Sequence, residues 1–484
     1  MSRHDALARS AAFFDQGHFL EALSRRVAMR TESQNPSSAP ILHAYLSKRI
    51  APELQRLGFT HRILDNPHAG GGPFLLAERI EPDAAFSVLT YGHGDVVRGQ
   101  ERQWRQGLSP WSVVVEGDRW YGRGTADNKG QHTINLSALA QVLAVRKGKL
   151  GYNVKIILET GEETGSPGLR EFCAMHRQAL AADVFIASDG PRVAASSPTL
   201  FLGSRGFFNF SLRVHLRDGG HHSGNWGGLL RNAGTRLVHA IASLVDARGR
   251  VLVKGLLPDS LPANVKDALK TITVGGDPGD PAIDPDWGQP GLTPTERVYG
   301  WNTVEVLAYK TGNPDAPVGA IPGHALALCQ IRFVVGSDSG QFVRNIREHL
   351  QQHGFDDVDV QAEGEPMAAT RLDPDDPWVR WGLDSIRRST GKVPSLLPNF
   401  GGSLPNDVFA ELLGLPTLWF PHSYPACSQH APNEHLLGSV AREGLQIMTG
   451  VFWDLAEDGG TIVRQRADLN PIPPSPSPES AGAE

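Results

Sequence analysis

The sequence predicts an α/β fold, a mixed sheet flanked by helices, interrupted by an inserted α+β domain. Three observations predict it. From Phe74 onward, short apolar strand patterns alternate with helical ones. From about Gly203 the pattern changes to long alternating strands, with a Pro/Gly-dense excursion between them. After Asp373 the helix–strand alternation resumes. A chain of 484 residues holds about two to four domains, or two with one split in sequence. The expected partition is 1–202 and 372–466 for the split domain, 203–371 for the insertion, and 467–484 for a Pro/Ser-rich disordered tail.

The first sixty residues read as amphipathic helix, with Leu20, Leu23, Val27, Ile41, Leu42, Tyr45, Leu46 and Ile50 near a 3.6-residue period. Asn35-Pro36-Ser37-Ser38 breaks that pattern, and Asn35 or Ser38 is placed to cap the second helix. Strands are expected at Phe86–Leu89, Val154–Leu158 and Val184–Ala187, helices at 133–145 and 169–180, and a turn-rich exit over 182–202. In the insertion, Phe208, Phe210, Leu212, Val214 and Leu216 alternate as in an antiparallel strand, and a helix is expected over 229–245. An irregular excursion over 258–300 precedes strands at 303–308 and 325–335 and a helix at 345–353. The returning domain offers helices at 378–389 and 407–413, a strand at 417–420 and a closing helix over 436–455.

Composition excludes several classes. Lys+Arg 46 against Asp+Glu 52 gives a net charge of -6, without the basic footprint of a nucleic-acid binder. No apolar run is long enough to span a membrane, and the N-terminus, which carries Asp and Glu, lacks a compact secretory h-region with a small-residue cleavage site. Cys173, Cys329 and Cys427 are too few and too scattered for a disulfide framework or a Cys-x-x-Cys metal site, which points to a cytoplasmic protein.

Chemistry concentrates where strands end, the place where open α/β sheets bind ligands. The first strand runs into Gly92-His93-Gly94-Asp95-Val96-Val97, with Asp95 spaced to hold one ring nitrogen of His93. Gly122-Arg123-Gly124-Thr125-Ala126-Asp127-Asn128-Lys129-Gly130 precedes a helix and lacks the Walker spacing. Another strand ends in Glu159-Thr160-Gly161-Glu162-Glu163-Thr164-Gly165, adjacent carboxylates that repel unless a cation or proton is shared. Ser188-Asp189-Gly190 follows a further strand, and Ser428-Gln429-His430-Ala431-Pro432-Asn433-Glu434-His435 follows the last. Taken singly, each is weak, and the His-x-Asp and the glycine-rich segment read better as ordinary structure, the latter as an Asp N-cap with a turn. Together they set two imidazoles and several carboxylates on one rim, a donor set suited to two Zn²⁺ ions, or to Mn²⁺ or Co²⁺.

In that order, GHGDVV, GRGTADNKG, ETGEETGS, ASDG and H-x-x-N-E resemble the M20 family of co-catalytic zinc peptidases and amidohydrolases, over nearly the whole chain apart from the tail. The resemblance implies a zinc-peptidase-like catalytic domain with an inserted lid that mediates homodimerisation. It implies that His93, Asp127 and Asp189 bind one ion and that Asp127, Glu163 and His430 bind the other, with Asp127 bridging. Glu162 would be the general base for a hydroxide formed between the ions, and Asp95 would orient His93. A cis peptide would follow Asp127. His222, in Gly220-His221-His222-Ser223-Gly224, would reach a partner's site and steady the oxyanion. Arg332, with Gly402 and Ser403, would grip a substrate carboxylate.

Asp at position 189, the long lid and the DNKG motif resemble the carnosinase-like dipeptidase branch; the doubled His and extra Gly of DGGHHSG depart from it. The expected activity is hydrolysis of the amide bond of a dipeptide or small peptide. The competing readings are an N-acyl-amino-acid amidohydrolase or carboxypeptidase of the same family and, in another class, a metal-binding protein without turnover. No nucleic-acid or membrane partner is expected. Cys427, three residues before His430, is either a bystander or a redox liability.

Overall fold

The computed structural model describes residues 2–276 and 281–469. An eight-stranded sheet runs in the order Thr60–Leu64, Phe74–Arg79, Asn153–Glu159, Ser87–His93, Val184–Ala187, Thr417–Trp419, Thr199–Phe201, Ser395–Leu397. Its central strands, Asn153–Glu159, Ser87–His93, Val184–Ala187 and Thr417–Trp419, are parallel neighbours, while the Thr60–Leu64 and Phe74–Arg79 strands join antiparallel at one side. The sheet is therefore mixed.

Strand side chains alternate between two cores. Val88, Ile156, Leu158 and Ile186 pack with Ile134 and Leu139 of the helix Lys129–Val145, Leu445 and Met448 of Gly438–Leu469, and Trp378 of Pro377–Thr390. Leu89, Tyr91, Ile157 and Phe185 face the other way, onto Leu169 and Phe172 of Leu169–Met175 and onto Phe409. The Lys129–Val145 helix is apolar nearly all round because it lies between the sheet and the closing helix.

The segment after Gly203 forms a separate antiparallel sheet, in the order Thr303–Thr311, His324–Phe333, Gly206–His215, Val358–Ala362. Phe208, Phe210, Leu212 and Val214 are buried against Leu237 and Leu244 of Ala233–Leu244 and Phe342, Ile346 and Leu350 of Phe342–Gln352. The opposite face and the edge strand leave Val306, Leu307, Tyr309 and Leu328 exposed.

Several expectations are corrected. The Pro/Gly-dense stretch contains two short helices, Ala263–Leu269 and Pro294–Tyr299, and Val265, Leu269 and Ile272 pack into the core of the larger sheet. The helix expected over 169–180 breaks at His176 into Leu169–Met175 and Arg177–Leu180. Leu436 belongs to a short strand, His435–Leu437, and the closing helix starts at Gly438 and runs to Leu469. The turn-rich exit holds a strand, Thr199–Phe201, besides Val184–Ala187. Asn35 caps a 3₁₀ turn by accepting the Ser37 N–H, whereas Ser38 makes no side-chain cap. The expected disorder of the tail, beyond Leu469, lies outside the described residues.

Candidate active site

Three parallel strands deliver the site. Ser87–His93 ends on His93, Asn153–Glu159 leads into the 3₁₀ turn Glu162–Thr164, and Val184–Ala187 leads to Asp189. The His93 Nδ1 side faces Asp95, 3.2 Å from its carbonyl oxygen and 3.4 Å from Oδ1. That partner fixes the Nδ1–H tautomer and leaves the Nε2 lone pair free for a ligand. Nε2 lies 3.0 Å from Asp127 Oδ1, 3.7 Å from Asp189 Oδ2 and 4.0 Å from Glu162 Oε2. The other Asp127 oxygen, Oδ2, is 3.0 Å from His430 Nε2, which is also 3.0 Å from Glu163 Oε2. One carboxylate thus faces two imidazoles, each flanked by a further acid.

Asp95 also accepts the backbone N–H groups of Glu162 and Glu163, at 3.3 and 3.1 Å, tying the acidic turn to the His93 strand. Burial and the Asp127 charge push Asp189 up to about 6 and Glu163 up to about 7; burial, with the charges of Asp189, Glu163 and Asp127, holds Glu162 well above the usual carboxylate range. Burial also acts to raise Asp127, but hydrogen bonds from His430 and His93 outweigh it and keep that carboxyl ionised. Among the described residues, Asp189 Oδ2 is buried without a hydrogen-bond partner. Four acids around two imidazoles, with one oxygen orphaned, suit divalent cations. The ligand atoms of His93, Asp127 and Glu163 lie within 4.8 Å of one another.

Asp127 is presented by a glycine-rich turn. The Asp127–Asn128 peptide is cis. The Asn128 amide donates to Ser188 O at 2.9 Å, joining this turn to the strand that leads to Asp189. Gly130 must be glycine, because a Cβ there would sit 1.9 Å from Thr125 O. Burial pushes the Lys129 ammonium down to about 7; it donates to Met29 O at 2.7 Å.

Glu434, which the sequence placed only as a motif position, clamps this turn. Its Oε1 accepts the N–H groups of Gly124, Ala126 and Asp127 at 3.0, 3.0 and 3.2 Å, and its Oε2 accepts Arg123 Nη1 at 2.7 Å. Gln429 also donates to Asp127 Oδ2. The signal for both was their place beside His430 in the S-Q-H-A-P-N-E-H run. The His430 side chain is 54% exposed, so the site opens on its side. His435 turns away: its Nδ1 contacts Asn433 O and its ring packs near Tyr121 and Tyr424. Burial pushes the Cys427 thiol up to about 12, and it packs with Ala126 and Tyr424, an inert bystander.

The remaining expected residues sit elsewhere. Arg332 donates to Gln330 Oε1 and Ser403 Oγ, both at 2.8 Å, and Ser403 Oγ donates to Arg205 O at 2.7 Å; Gly402 stands between Ser403 and the Phe400 ring. Arg205, which the sequence did not single out, is buried beside them and donates to Val298 O, Thr303 Oγ1 and Arg332 O. His222 is exposed and accepts the Gly224 N–H. Among the described residues, no hydrogen bond or ion pair joins His222 or Arg332 to the His93–Asp127 cluster.

A profile of the peptidase family M20/M25/M40 matches residues 89–454. The chain belongs to that family. As an M20 family member it is a peptidase, an enzyme of amide bonds. It is similar to the cysteinylglycine-S-conjugate dipeptidase of Corynebacterium striatum, 26% identical over 380 residues covering 75% of this chain and 79% of that protein. It is 24% identical over 478 residues to the human beta-Ala-His dipeptidase, covering 91% of each. Its fold matches that of an M20 family metallo-carboxypeptidase of Sulfolobus solfataricus with a TM-score of 0.74, at 24% identity over 90% of this chain and 99% of that one. The mixed sheet with a second antiparallel sheet is thus the M20 family architecture.

Proposed function

We propose that this M20 peptidase is a dipeptidase that works with two divalent cations, Zn²⁺ foremost, with Mn²⁺ or Co²⁺ as substitutes. The observation that carries the reading is Asp127, with one oxygen 3.0 Å from His93 and the other 3.0 Å from His430. His93, Asp127 and Asp189 would hold one ion; Asp127, Glu163 and His430 would hold the other. When bound, such ions would polarise a carbonyl and lower the pKa of a bound water toward about 7.

Glu162 is the acid left without a ligand's role, beside the cluster at 4.0 Å from His93 Nε2. It takes a proton from the attacking water as the C–O bond forms, and returns it to the amine nitrogen as the C–N bond breaks. Asp95 keeps His93 in its ligating tautomer and holds the Glu162 turn in place. Arg332, held by Gln330 and Ser403 beside Gly402, would bind the free carboxylate of a dipeptide.

The oxyanion needs a donor from outside the cluster. His222 is exposed and, among the described residues, makes no hydrogen bond or ion pair to the cluster of its own chain, which supports its serving the site of a second copy. The Thr303–Thr311 strand, which among the described residues pairs on one side only, with Val306, Leu307 and Tyr309 exposed, supports a homodimer formed through the inserted domain. The insertion at 203–371 is accordingly read as the lid, and 1–202 with 372–466 as the catalytic body. Three free, buried cysteines support a cytoplasmic setting.

The test is amine release from a free dipeptide and from its N-acetylated twin, with a chelator control. The dipeptide is expected to be cleaved faster, and the chelator to abolish it. Preference for the acetylated twin would move the enzyme to the amidohydrolases.

A further inference from the structure

Away from the Asp127 cluster, His215, Asp218 and His324 form a second group whose ligand atoms lie within 4.8 Å of one another. We infer that these three residues bind a third divalent cation of borderline softness, Zn²⁺ foremost, on the surface of the inserted domain. His215 ends one strand and His324 begins its antiparallel neighbour, and the two are register partners. Their side chains therefore project from one face of the sheet. Their rings stand edge to face with centroids 4.2 Å apart. Asp218 follows three residues later, with Oδ1 3.2 Å from His215 Nε2.

Two further features make this a built arrangement. The loop carrying Asp218 is pinned to the His324 side at both ends. Leu216 N–H donates to Gly323 O at 2.9 Å, and His221 and His222 pair with Ile321 and Ala320. Gly323 permits that approach, since a Cβ there would lie 2.0 Å from Arg217 O. The three donors thus sit on two strands and a loop that the backbone already holds together. The rest of the coordination sphere is open: His215 and His324 border a hollow of about 750 Å³, so water or a ligand atom completes a tetrahedral sphere.

The chemistry selects the cation. Imidazole nitrogens bind Zn²⁺ at about 2.0–2.1 Å and carboxylate oxygens at about 2.0–2.2 Å, and exposed side chains close to that geometry by rotation about their own χ angles. Arg213 and Lys310 border the same hollow, so net charge does not draw a cation in. Affinity rests on imidazole coordination, which favours Zn²⁺, Ni²⁺ or Cu²⁺ over Mg²⁺ and Ca²⁺. The bound ion would tie Asp218 to the sheet and so order the loop that ends at His222.

The experiment compares the full-length wild-type protein with a His215→Asn/His324→Asn double variant. Both are stripped with a chelator and titrated with Zn²⁺ alone, with Mg²⁺ as the control. The wild type is expected to take up one equivalent more Zn²⁺ than the variant, and each single His→Asn change to weaken that equivalent by about tenfold or more. Because the reading is a difference between proteins, it stands whatever the occupancy of the Asp127 cluster. A second reading needs no variant: zinc-edge anomalous density in zinc-soaked wild-type crystals is expected between the two rings. Equal uptake by the two proteins overturns the site, and so does the absence of that peak.

Discussion

Asp95 and Lys129 are two buried charged groups beside the centre, and they play different parts. Asp95 meets His93 on the ring side away from Asp127 and accepts both N–H groups of the Glu162–Glu163 pair, so one carboxylate orients an imidazole and an acidic turn together. Lys129 sits buried next to the bridging turn, where burial, opposed by the charges of Glu434, Asp95 and Glu32, pushes its ammonium from 10.5 down to about 7. The folded protein therefore releases this proton before the unfolded chain does. Below pH 7 the penalty for burying the charge is fully present. Between about 7 and 10.5 the unfolded state binds more protons, so stability rises with pH. Against a Lys129→Met variant, the wild type is expected to gain about 1.4 kcal/mol per pH unit across that window. Urea unfolding of both proteins at pH 7, 8.5 and 10 measures it, and a constant difference would remove the buried charge from the account.

At the level of elements, the site is a meeting of strand ends with two loops that are remote in sequence. Glu434 and Arg123 lie 311 residues apart yet form a buried ion pair at 2.7 Å, and Glu434 accepts three N–H groups of the turn that presents Asp127. A Glu434→Gln change leaves Arg123 buried without its counter-charge. It is expected to cost about 3–5 kcal/mol of stability and about 10–100-fold in metal affinity, read by denaturant unfolding and by metal titration. Unchanged affinity would mean that the turn holds its shape alone. This clamp was illegible in the sequence because nothing local links the two residues, whereas His93, Asp127, Glu163 and Asp189 each sit in a motif at a strand or helix boundary. The same locality explains which elements were readable. Val184–Ala187 is an apolar run with turn residues on both sides, and the expected strand coincides with the observed one. Thr199–Phe201 and Ser395–Leu397 are three residues each, too short for periodicity to register, and exist because they pair with one another and, through Thr199–Phe201, with Thr417–Trp419. Leu436 continues a helical pattern but pairs with Trp120 as a strand, a tertiary contact overriding local preference.

Across the whole molecule, the change from a mixed sheet to an antiparallel one was visible as a change of hydrophobic period near Gly203, and the exposed edge of the second sheet was not. That edge and His222 belong together in the dimer proposal. His222→Ala and Glu162→Gln homodimers are each expected to be nearly inactive, and mixing them after dissociation is expected to restore about a quarter of wild-type activity, because one site per mixed dimer regains both groups. Absence of recovery would place His222 outside the partner's site. The central claim, a two-cation centre with Glu162 as its proton carrier, meets its most direct test in a single protein. Glu162→Gln, measured for metal content and for turnover of a free dipeptide, is expected to keep wild-type metal stoichiometry while losing about 10²–10⁴-fold in turnover. Wild-type turnover with full metal content would contradict the assignment of Glu162, and loss of the metal together with turnover would make Glu162 a ligand instead of a base.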